Sequence, residues 1–192
     1  MHSNKGQVRI IAGRYRGRRI KVASRPGLRP TPDRVRETLF NWLGQWLEGE
    51  SCLDLFAGSG ALGFEAASRG AARVVMVEAD RAAFAALEAA RALIGAANVE
   101  LVFGDALGYL ARSQERFGVV FLDPPFRQNA LPAALERLEP RLAQGARIYI
   151  ESASACAPGA RWRELRRDRA GQVSYQLFEW RGDDQGGIPG NV

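Results

Sequence analysis

Five short runs of mainly aliphatic residues recur along the chain, separated by segments rich in Ala, Leu, Glu and Arg with helical spacing. Aliphatic runs of this length are typical of buried strands, and the segments between them are long enough for helices. Because parallel strands need a long crossover connection, the alternation predicts an α/β fold with a mostly parallel sheet and helices on both faces. The predicted strands lie at 51–56, 73–78, 99–103, 117–122 and 147–151.

The pattern changes after residue 157. The segment "RWRELRRDRAGQVSYQLFEWR" alternates polar and apolar residues around Ala170-Gly171, which predicts an antiparallel hairpin and brings the sheet to seven strands. The last residues lack apolar periodicity, and we expect disorder there. A chain of 192 residues is most simply one domain. Its predicted parts are a basic arm and cap helix at 1–47, a core at 48–181 and a disordered tail at 182–192.

Several helix boundaries are marked by capping residues. Asp80 is a predicted N-cap for "RAAFAALEAARALI", and Gly95 is its predicted stop. Gly145 similarly predicts the end of a helix that reaches about Ala143.

The segment "RPTPDRVRETLFNWLGQWL" predicts a helix ahead of the first core strand. Thr31 is its predicted N-cap, and Pro32 suits the first helical position. Arg34 and Arg36 lie off the predicted apolar stripe, so packing on the sheet does not explain them. That stripe consists of Val35, Leu39, Trp42, Leu43 and Trp46.

Positive charge is concentrated at the N-terminus. Residues 1–36 hold eleven bases and one acid, a net charge of +10, whereas the whole chain carries +6, which leaves −4 for the remainder. This segregation predicts an arm that binds a polyanion such as RNA, although a basic terminus that binds nothing is the alternative. The candidate contacts are Arg14, Arg16, Arg18 and Arg19.

The composition excludes several classes of protein. The aliphatic runs are too short to cross a bilayer, and the two cysteines without metal-ligand spacing predict a reduced, cytoplasmic, metal-free protein. The only histidine is His2, which excludes Ser-His-Asp and Cys-His catalysis. We expect a monomer.

A glycine-rich loop follows the first core strand in "LDLFAGSGALG". Gly58, Gly60 and Gly63 form a G-x-G-x-x-G motif, which predicts a site for NAD or another adenosine-bearing cofactor. Asp54, four residues before Gly58, would oppose a pyrophosphate at a cost on the order of 1–4 kcal/mol. The sulfonium and ammonium of S-adenosylmethionine would instead favour a carboxylate. The alternative is that Asp54 bonds the backbone of its own turn.

Two further acids follow the next strands. Glu78 lies 20 residues after Gly58, the spacing of a ribose-binding carboxylate, and Asp105 is placed to read an adenine amino group. Asp105 is alternatively the N-cap of the helix after it. The remaining predicted cofactor contacts are the adjacent residues Phe56, Ala79 and Ala106.

The motif "DPPF" follows the strand 117–122. Pro124 and Pro125 end strand pairing and hold the preceding Asp123 in an extended conformation. Asp123 and the Pro124 carbonyl could each accept a hydrogen from an exocyclic amine, and Phe126 offers a stacking face for a base. Asp123 is also a predicted cofactor contact. The alternative is a strand that simply ends in a proline turn.

In this order, these motifs resemble those of class I S-adenosylmethionine-dependent methyltransferases, which have a Rossmann-like sheet with a reversed last strand. The "DPPF" motif resembles that of N-methyltransferases acting on adenine N6 and guanine N2. The segments "VRIIAGRYRGRRIKV", "RPTPDRVRETLFNWL" and "LDLFAGSGALGFEAASRGA" closely resemble the bacterial 16S rRNA (guanine-966-N2)-methyltransferase family. The similarity extends to "RAGQVSYQLFEW".

The resemblance implies methylation of a guanine N2 in 16S rRNA, within an assembled or partly assembled 30S subunit, with S-adenosylmethionine as donor. It also implies that the "RPTPDR" region closes over the site, which makes Thr31 and Arg34 substrate-binding candidates. Three alternatives remain open: an adenine-N6 methyltransferase, a nicotinamide oxidoreductase and a non-enzymatic RNA-binding protein.

Overall fold

The computed structural model describes residues 6–23, 31–125 and 130–182. Within these ranges the strands are β1 (Gln7–Arg9), β2 (Arg19–Lys21), β3 (Ser51–Asp54), β4 (Arg73–Glu78), β5 (Val99–Phe103), β6 (Phe117–Leu122), β7 (Leu142–Ser152), β8 (Trp162–Ala170) and β9 (Val173–Trp180). The α-helices are α1 (Asp33–Leu43), α2 (Ala61–Ser68), α3 (Arg81–Ile94), α4 (Ala106–Arg112) and α5 (Leu131–Leu138).

Seven strands form one sheet in the order β5-β4-β3-β6-β7-β9-β8. The pairs from β5 through β7 are parallel, whereas β9 runs antiparallel to both β7 and β8. The predicted fold, including the antiparallel hairpin, is confirmed. The chain moves outward from β3 to β5 and then returns to β6, so the strand order reverses between β3 and β6. Ligands of open α/β sheets bind at such a switch point, outside the carboxyl ends of the strands.

Side-chain alternation along the strands builds a separate core on each face of the sheet. One core joins α1, α2 and α3 to residues such as Cys52, Met76 and Phe121. The other joins α4 and α5 to residues such as Leu53 and Val120. In the described part of the chain, every helix lacks the length and apolar character needed to cross a bilayer.

The predicted end of a helix at Gly145 is wrong. The chain is already in β7 at Leu142, which pairs with Phe117, and the next pair joins Val119 to Arg147. The extra residues on β7 form a bulge, and Gly145 adopts its positive φ of 73° there. The two caps of α3 are confirmed, because Asp80 accepts a hydrogen bond from the Ala83 amide at 2.8 Å and Gly95 has a φ of 69°.

The predicted boundaries of the first helix also need correction. Helix α1 begins at Asp33 with Pro32 as the cap residue, and Thr31 does not cap it because its hydroxyl donates to Glu151 instead, at 3.1 Å. Gly44, at φ 88°, ends the helix at Leu43. Trp46 therefore leaves the apolar stripe and is 61% exposed.

The basic arm folds back as the hairpin β1–β2 and docks on α2. Glu65 of α2, which is fully buried, accepts hydrogen bonds from the backbone amides of Ile11 and Ala12 at 2.8 and 3.0 Å. Ser68 bonds the hairpin on the next turn of α2, where its hydroxyl accepts from the Tyr15 amide at 2.9 Å. Gly13 has a φ of 78°, and a Cβ there would overlap with the Ser68 carbonyl. The hairpin β1–β2 is thus a fixed part of the domain.

Arg36 is held in the same contact, which explains its position off the stripe. Its guanidinium is fully buried, pairs with Glu65 at 3.4 Å and Asp33 at 2.6 Å, and donates to the Arg9 carbonyl at 2.8 Å. Arg69 pairs with the other Glu65 oxygen at 2.8 Å. Two cations and two amides therefore surround one buried carboxylate, so Arg36 serves the fold.

We expect Glu65→Ala to lower the free energy of unfolding by about 3–5 kcal/mol, because Arg36 and Arg69 would be left buried without their shared carboxylate. Urea unfolding followed by circular dichroism measures this change. The control is Glu37→Ala, since Glu37 is exposed on α1, and we expect it to change stability by less than about 0.5 kcal/mol. Equal effects of the two substitutions would contradict the structural role of Glu65.

Candidate active site

Four acids meet at the carboxyl edge of the sheet, on the face covered by α1, α2 and α3. Asp54 and Glu78 end β3 and β4, Asp123 follows β6, and Glu151 lies near the end of β7. Each is two residues beyond a side chain of the same core, namely Cys52, Met76, Phe121 and Tyr149. Because side chains alternate along a strand, the four carboxyl groups point to the same face. The structure thus brings three predicted acids together and adds a fourth, Glu151, that the sequence did not predict.

The loop from β3 to α2 depends on its glycines. Gly58 and Gly60 have φ values of 51° and 75°, which favour glycine. A Cβ on Gly60 would lie 2.7 Å from Leu87 and Phe64. Gly63 lies against β4, where a Cβ would be 2.7 Å from the Met76 sulfur. The loop therefore turns tightly over the ends of β3 and β4 and leaves backbone beside the acids.

Asp54 lies beneath this loop and is only 2% exposed. Its Oδ2 accepts a hydrogen bond from the Gly63 amide at 2.9 Å, so Asp54 does hold its own turn. Burial raises the pKa of Asp54 to about 7, with Glu78 and Glu151 adding repulsion. A nearby cation would relieve this penalty, whereas a phosphate would increase it.

Glu78 is held at both carboxylate oxygens. One accepts from the Gly58 amide at 2.8 Å and the other from the Asp80 amide at 2.7 Å. The side chain therefore bridges the loops after β3 and β4. Each oxygen keeps a second lone pair, so these bonds fix the orientation of a group that can still accept from a ribose.

Asp105 is exposed and caps α4, because its Oδ1 accepts from the Gly108 amide at 2.9 Å. The capping alternative is thus confirmed. The other carboxylate oxygen of Asp105 can still accept from an adenine amino group, so the adenine-binding role stays a prediction. The adjacent predicted contacts differ in exposure: Phe56 is half-buried, Ala79 exposed and Ala106 buried.

The corner after β6 places Asp123 next to the glycine loop. Asp123 is partly buried, and within the described ranges no hydrogen bond reaches its carboxyl group. Burial raises the pKa of Asp123 well above its ordinary value, and Glu151 and Asp54 raise it further. Pro124 is buried and Pro125 exposed. Phe126, the predicted stacking residue, lies outside the described residues.

Glu151 and Thr31 form a contact that the sequence did not predict. Glu151 is 7% exposed and accepts, on Oε1, from the Thr31 hydroxyl at 3.1 Å and the Tyr149 hydroxyl at 2.9 Å. A signal was present, because "IYIES" puts polar Tyr149 and Glu151 at alternate positions of a strand covered on both faces. Polar groups on such a strand need partners in the core or in a site.

The predicted RNA-binding residues are mainly on the surface. Arg14, Arg16, Arg18 and Arg19 are exposed on or beside the hairpin β1–β2, and Arg34 is exposed on α1. Thr31 is different: at 7% exposure and bonded to Glu151, it faces the acids.

The donor set fits a cofactor that carries cations and lacks phosphate. No Lys or Arg of the described residues forms an ion pair with Asp54, Glu78, Asp123 or Glu151. The described residues also contain no group of three side chains arranged to hold a metal. Gly58 and Gly60 allow close approach of an adenosyl group to the backbone. The edge is thus rich in acids and ready to accept a positively charged donor.

The cysteines do not belong to this site as nucleophiles. Cys52 is fully buried inside β3, and burial raises the pKa of its thiol to about 12. Burial also raises the pKa of Cys156, which lies after β7. A covalent mechanism through a thiolate is therefore disfavoured.

Comparisons with known proteins connect this architecture to a family. Residues 8–179 match the family described as "Conserved hypothetical protein 95". The chain is 46% identical over 183 residues to "Ribosomal RNA small subunit methyltransferase D" of Escherichia coli K12, covering 93% of this chain and 92% of that protein. It is 41% identical over 183 residues to the protein of the same name from Haemophilus influenzae, covering 91% and 95%.

Solved structures agree with this result. An Escherichia coli protein described as a candidate methyltransferase aligns with a TM-score of 0.85 and 46% identity, covering 93% of this chain and all of that one. A precorrin-6y methyltransferase from Geobacter metallireducens aligns with a TM-score of 0.65 over 83% of this chain and 95% of that one. At 16% identity, the second likeness shows a shared fold alone.

The raised pKa of Asp54 predicts a measurable dependence of stability on pH. Its folded-state pKa of about 7 exceeds the ordinary value of 3.8, so the folded state binds more protons between these values and its stability falls as pH rises through them. At about 1.4 kcal/mol for each pKa unit, the loss is roughly 4 kcal/mol. We expect the Asp54→Asn variant not to show this fall in stability.

Urea unfolding of wild type and Asp54→Asn from pH 4.5 to pH 8 tests this expectation. The difference between the two proteins isolates Asp54 from the other titrating groups. A difference that stays constant across this range would show that Asp54 is ionised at its ordinary pKa.

Proposed function

The chain belongs to the family described as "Conserved hypothetical protein 95", and on this premise we propose that it is an rRNA methyltransferase that uses S-adenosylmethionine to methylate the exocyclic N2 of a guanine in small-subunit rRNA. The observation that carries the proposal is the position of Asp123. It follows β6 beside the glycine loop and shares a face with the other acids, so the residues proposed to hold the cofactor and the proposed acceptor of an amine hydrogen lie at one edge of the sheet.

The residues assigned to the cofactor all lie at the carboxyl edge. The loop containing Gly58 and Gly60 would lie along the adenosyl group, Glu78 would accept from the ribose hydroxyls, and Asp105 would read the adenine. Asp54, with Phe56, Ala79 and Ala106 nearby, would complete the cradle. When bound, S-adenosylmethionine supplies an electrophilic methyl group on a positively charged sulfur.

The protein's own contribution is to align and polarise the target amine. The Asp123 carboxylate accepts one amine hydrogen and the Pro124 carbonyl accepts the other, so the nitrogen lone pair leaves conjugation with the ring. The paired prolines fix this corner, which favours in-line transfer without a covalent intermediate. Phe126 is the proposed stacking partner of the base. Alignment of this kind is worth up to about 7–11 kcal/mol.

The other candidate functions fit less well. An adenine-N6 methyltransferase would use the same corner; the relatives are named as small-subunit rRNA methyltransferases, which favours an rRNA substrate over DNA. A nicotinamide oxidoreductase would bring a pyrophosphate to buried Asp54, which already ionises with difficulty. A purely RNA-binding protein would have no use for four acids at a sheet edge.

The substrate is recognised by a rigid surface. Because Glu65 fixes the hairpin β1–β2 against α2, Arg16 and Arg18 project from a defined position on the domain. Arginines on such a surface bind phosphates and supply affinity with little sequence preference. We propose that they dock the rRNA of a 30S particle while Thr31 and Arg34 face the target.

Methyl transfer to naked 16S rRNA, 30S particles and duplex DNA tests the proposal. We expect transfer to guanine N2 in 16S rRNA or 30S particles, mapped by mass spectrometry of nuclease fragments. Asp123→Ala should lower kcat by about 10²–10³-fold, the usual effect of losing one group that stabilises developing charge. Its affinity for S-adenosylmethionine should change much less. Methylated DNA, or full turnover by Asp123→Ala, would refute the assignment.

Charge reversal on the hairpin tests the docking surface. We expect Arg16→Glu together with Arg18→Glu to weaken rRNA binding and leave the affinity for S-adenosylmethionine unchanged. The slope of log K against log salt concentration should fall by about 0.7–0.9 for each phosphate that the variant no longer neutralises. Filter binding across a salt series measures both quantities.

The matched control changes two exposed arginines outside the hairpin, at the end of α4 and just before β6: Arg112→Glu with Arg116→Glu. Its change in net charge is identical. Equal decreases of rRNA affinity in the two double variants would mean that total charge alone, without a docking surface, governs binding.

A further inference from the structure

Glu151 is the acid at this edge to which the proposed function gives no role. The last register pair of β6 and β7 is Leu122 with Ile150, so Asp123 and Glu151 are the next residues along two neighbouring parallel strands. They point to the same face, and neighbouring strands are about 4.8 Å apart. Glu151 therefore lies directly beside Asp123, whereas Asp54 pairs with Phe121, two residues earlier on the chain.

The two acids are held very differently. Thr31 and Tyr149 both donate to Oε1 of Glu151, whereas no described residue donates to Asp123. Donated hydrogen bonds stabilise the charged form of a carboxyl group. Of the two acids, Glu151 is therefore the more stable in its ionised form, and Asp123 is the one that more readily holds the proton.

Among the described residues, no positively charged side chain is near enough to Asp123 and Glu151 to let both acids ionise. Asp54 faces the pair from β3, with Glu78 beyond it on β4, while Tyr149 faces it from β7 and Thr31 from the segment before α1. Tyr175 of β9 stands behind Tyr149, with ring centroids 6.3 Å apart. Two adjacent carboxyl groups in such a site titrate as a pair that retains one proton.

We propose that Glu151, held by Thr31 and Tyr149, is a positioning residue that keeps the proton of this pair on Asp123 until a cation enters the site. Arrival of the cation releases the proton to solvent and leaves Asp123 as the carboxylate that accepts the amine hydrogen. Because Thr31 holds Glu151, the segment before α1 takes part in setting the charge of Asp123. This inference rests on the proposed function.

The pKa directions agree with this geometry. Burial is the largest cause that raises the pKa of Asp123, and the charge of Glu151 is the next. Burial also raises the pKa of Glu151, but the hydrogen bonds from Tyr149 and Thr31 oppose the rise. Removing the charge of Glu151 must therefore lower the pKa of Asp123.

Proton release on binding of a cationic cofactor analogue, compared between wild type and a variant without the Asp123 carboxyl group, measures the charge of Asp123. Sinefungin carries an amine where the donor carries its methyl group, and S-adenosylhomocysteine has a neutral sulfur there. Calorimetry at pH 7 in buffers of different ionisation enthalpy gives the protons released. We expect wild type to release more protons with sinefungin than with S-adenosylhomocysteine. Asp123→Asn, which cannot ionise, should release fewer protons than wild type, and the excess that remains comes from Asp54, whose pKa is about 7.

Glu151→Gln keeps the shape and an acceptor for Thr31 but removes the charge. We expect it to lose the part of the excess proton release that comes from Asp123, and to move the acidic limb of kcat/KM for S-adenosylmethionine to lower pH by about one unit or more. Glu88→Gln, which removes an exposed negative charge on α3, should behave like wild type. A purely structural role for Glu151 would lower the melting temperature without moving the acidic limb.

Thr31→Val provides a second, milder variant. Without the Thr31 hydroxyl, Glu151 takes a larger share of the proton, so the acidic limb should move in the same direction by a smaller amount. Thr31→Ser should restore it. Unchanged proton release and an unchanged acidic limb in both Glu151→Gln and Thr31→Val would overturn the inference. Wild type that binds neither analogue and methylates no rRNA would instead refute the proposed function.

Discussion

Repulsion among four carboxyl groups at one edge of the sheet is the constraint on which the site depends. Parallel strands end side by side, so Asp54 and Asp123 are brought together with Glu78 and Glu151 by the fold itself. The described residues provide amides and hydroxyls to these acids but no paired cation. The site is therefore least stable when it is empty and fully ionised, and a positively charged ligand reduces the repulsion among the carboxylates. This favours a sulfonium donor over a pyrophosphate on electrostatic grounds alone.

The backbone around the acids is fixed in ways that suit this task. Glu78 is bonded to two loops, Gly60 allows the loop after β3 to turn against α3, and Pro124 follows Asp123 directly. None of these groups must move for the acids to face a ligand. Preorganised dipoles and charges accelerate reactions because they need no rearrangement as charge develops. This rigidity therefore serves the proposed reaction as well as the stability of the fold.

Hydrophobic periodicity was sufficient to predict the sheet, its parallel core and the final hairpin, because burial on both faces leaves a strong pattern. Local capping rules succeeded at Asp80 and failed at Thr31 and Gly145. The Thr31 hydroxyl donates to Glu151, a tertiary partner, instead of capping the helix. The positive φ of Gly145 belongs to a β-bulge instead of a helix end. The role of Arg36 was equally hidden, since a buried arginine and an exposed one look alike in sequence. Local chemistry does not reveal a partner that lies 120 residues away, as Glu151 does from Thr31.

The N-terminal segment connects the proposed RNA-binding surface to the proposed catalytic acids. At one end its hairpin is fixed by Glu65 on α2, and at the other Thr31 bonds Glu151 beside Asp123. Helix α2 itself begins at Gly60, where the glycine loop ends. The arginines proposed to bind phosphates and the acids proposed to bind the cofactor and the amine are thus linked through α2 and the segment before α1. Under the proposed function, the separation of these two surfaces would select the substrate, because neither surface can shift without breaking a buried carboxylate contact.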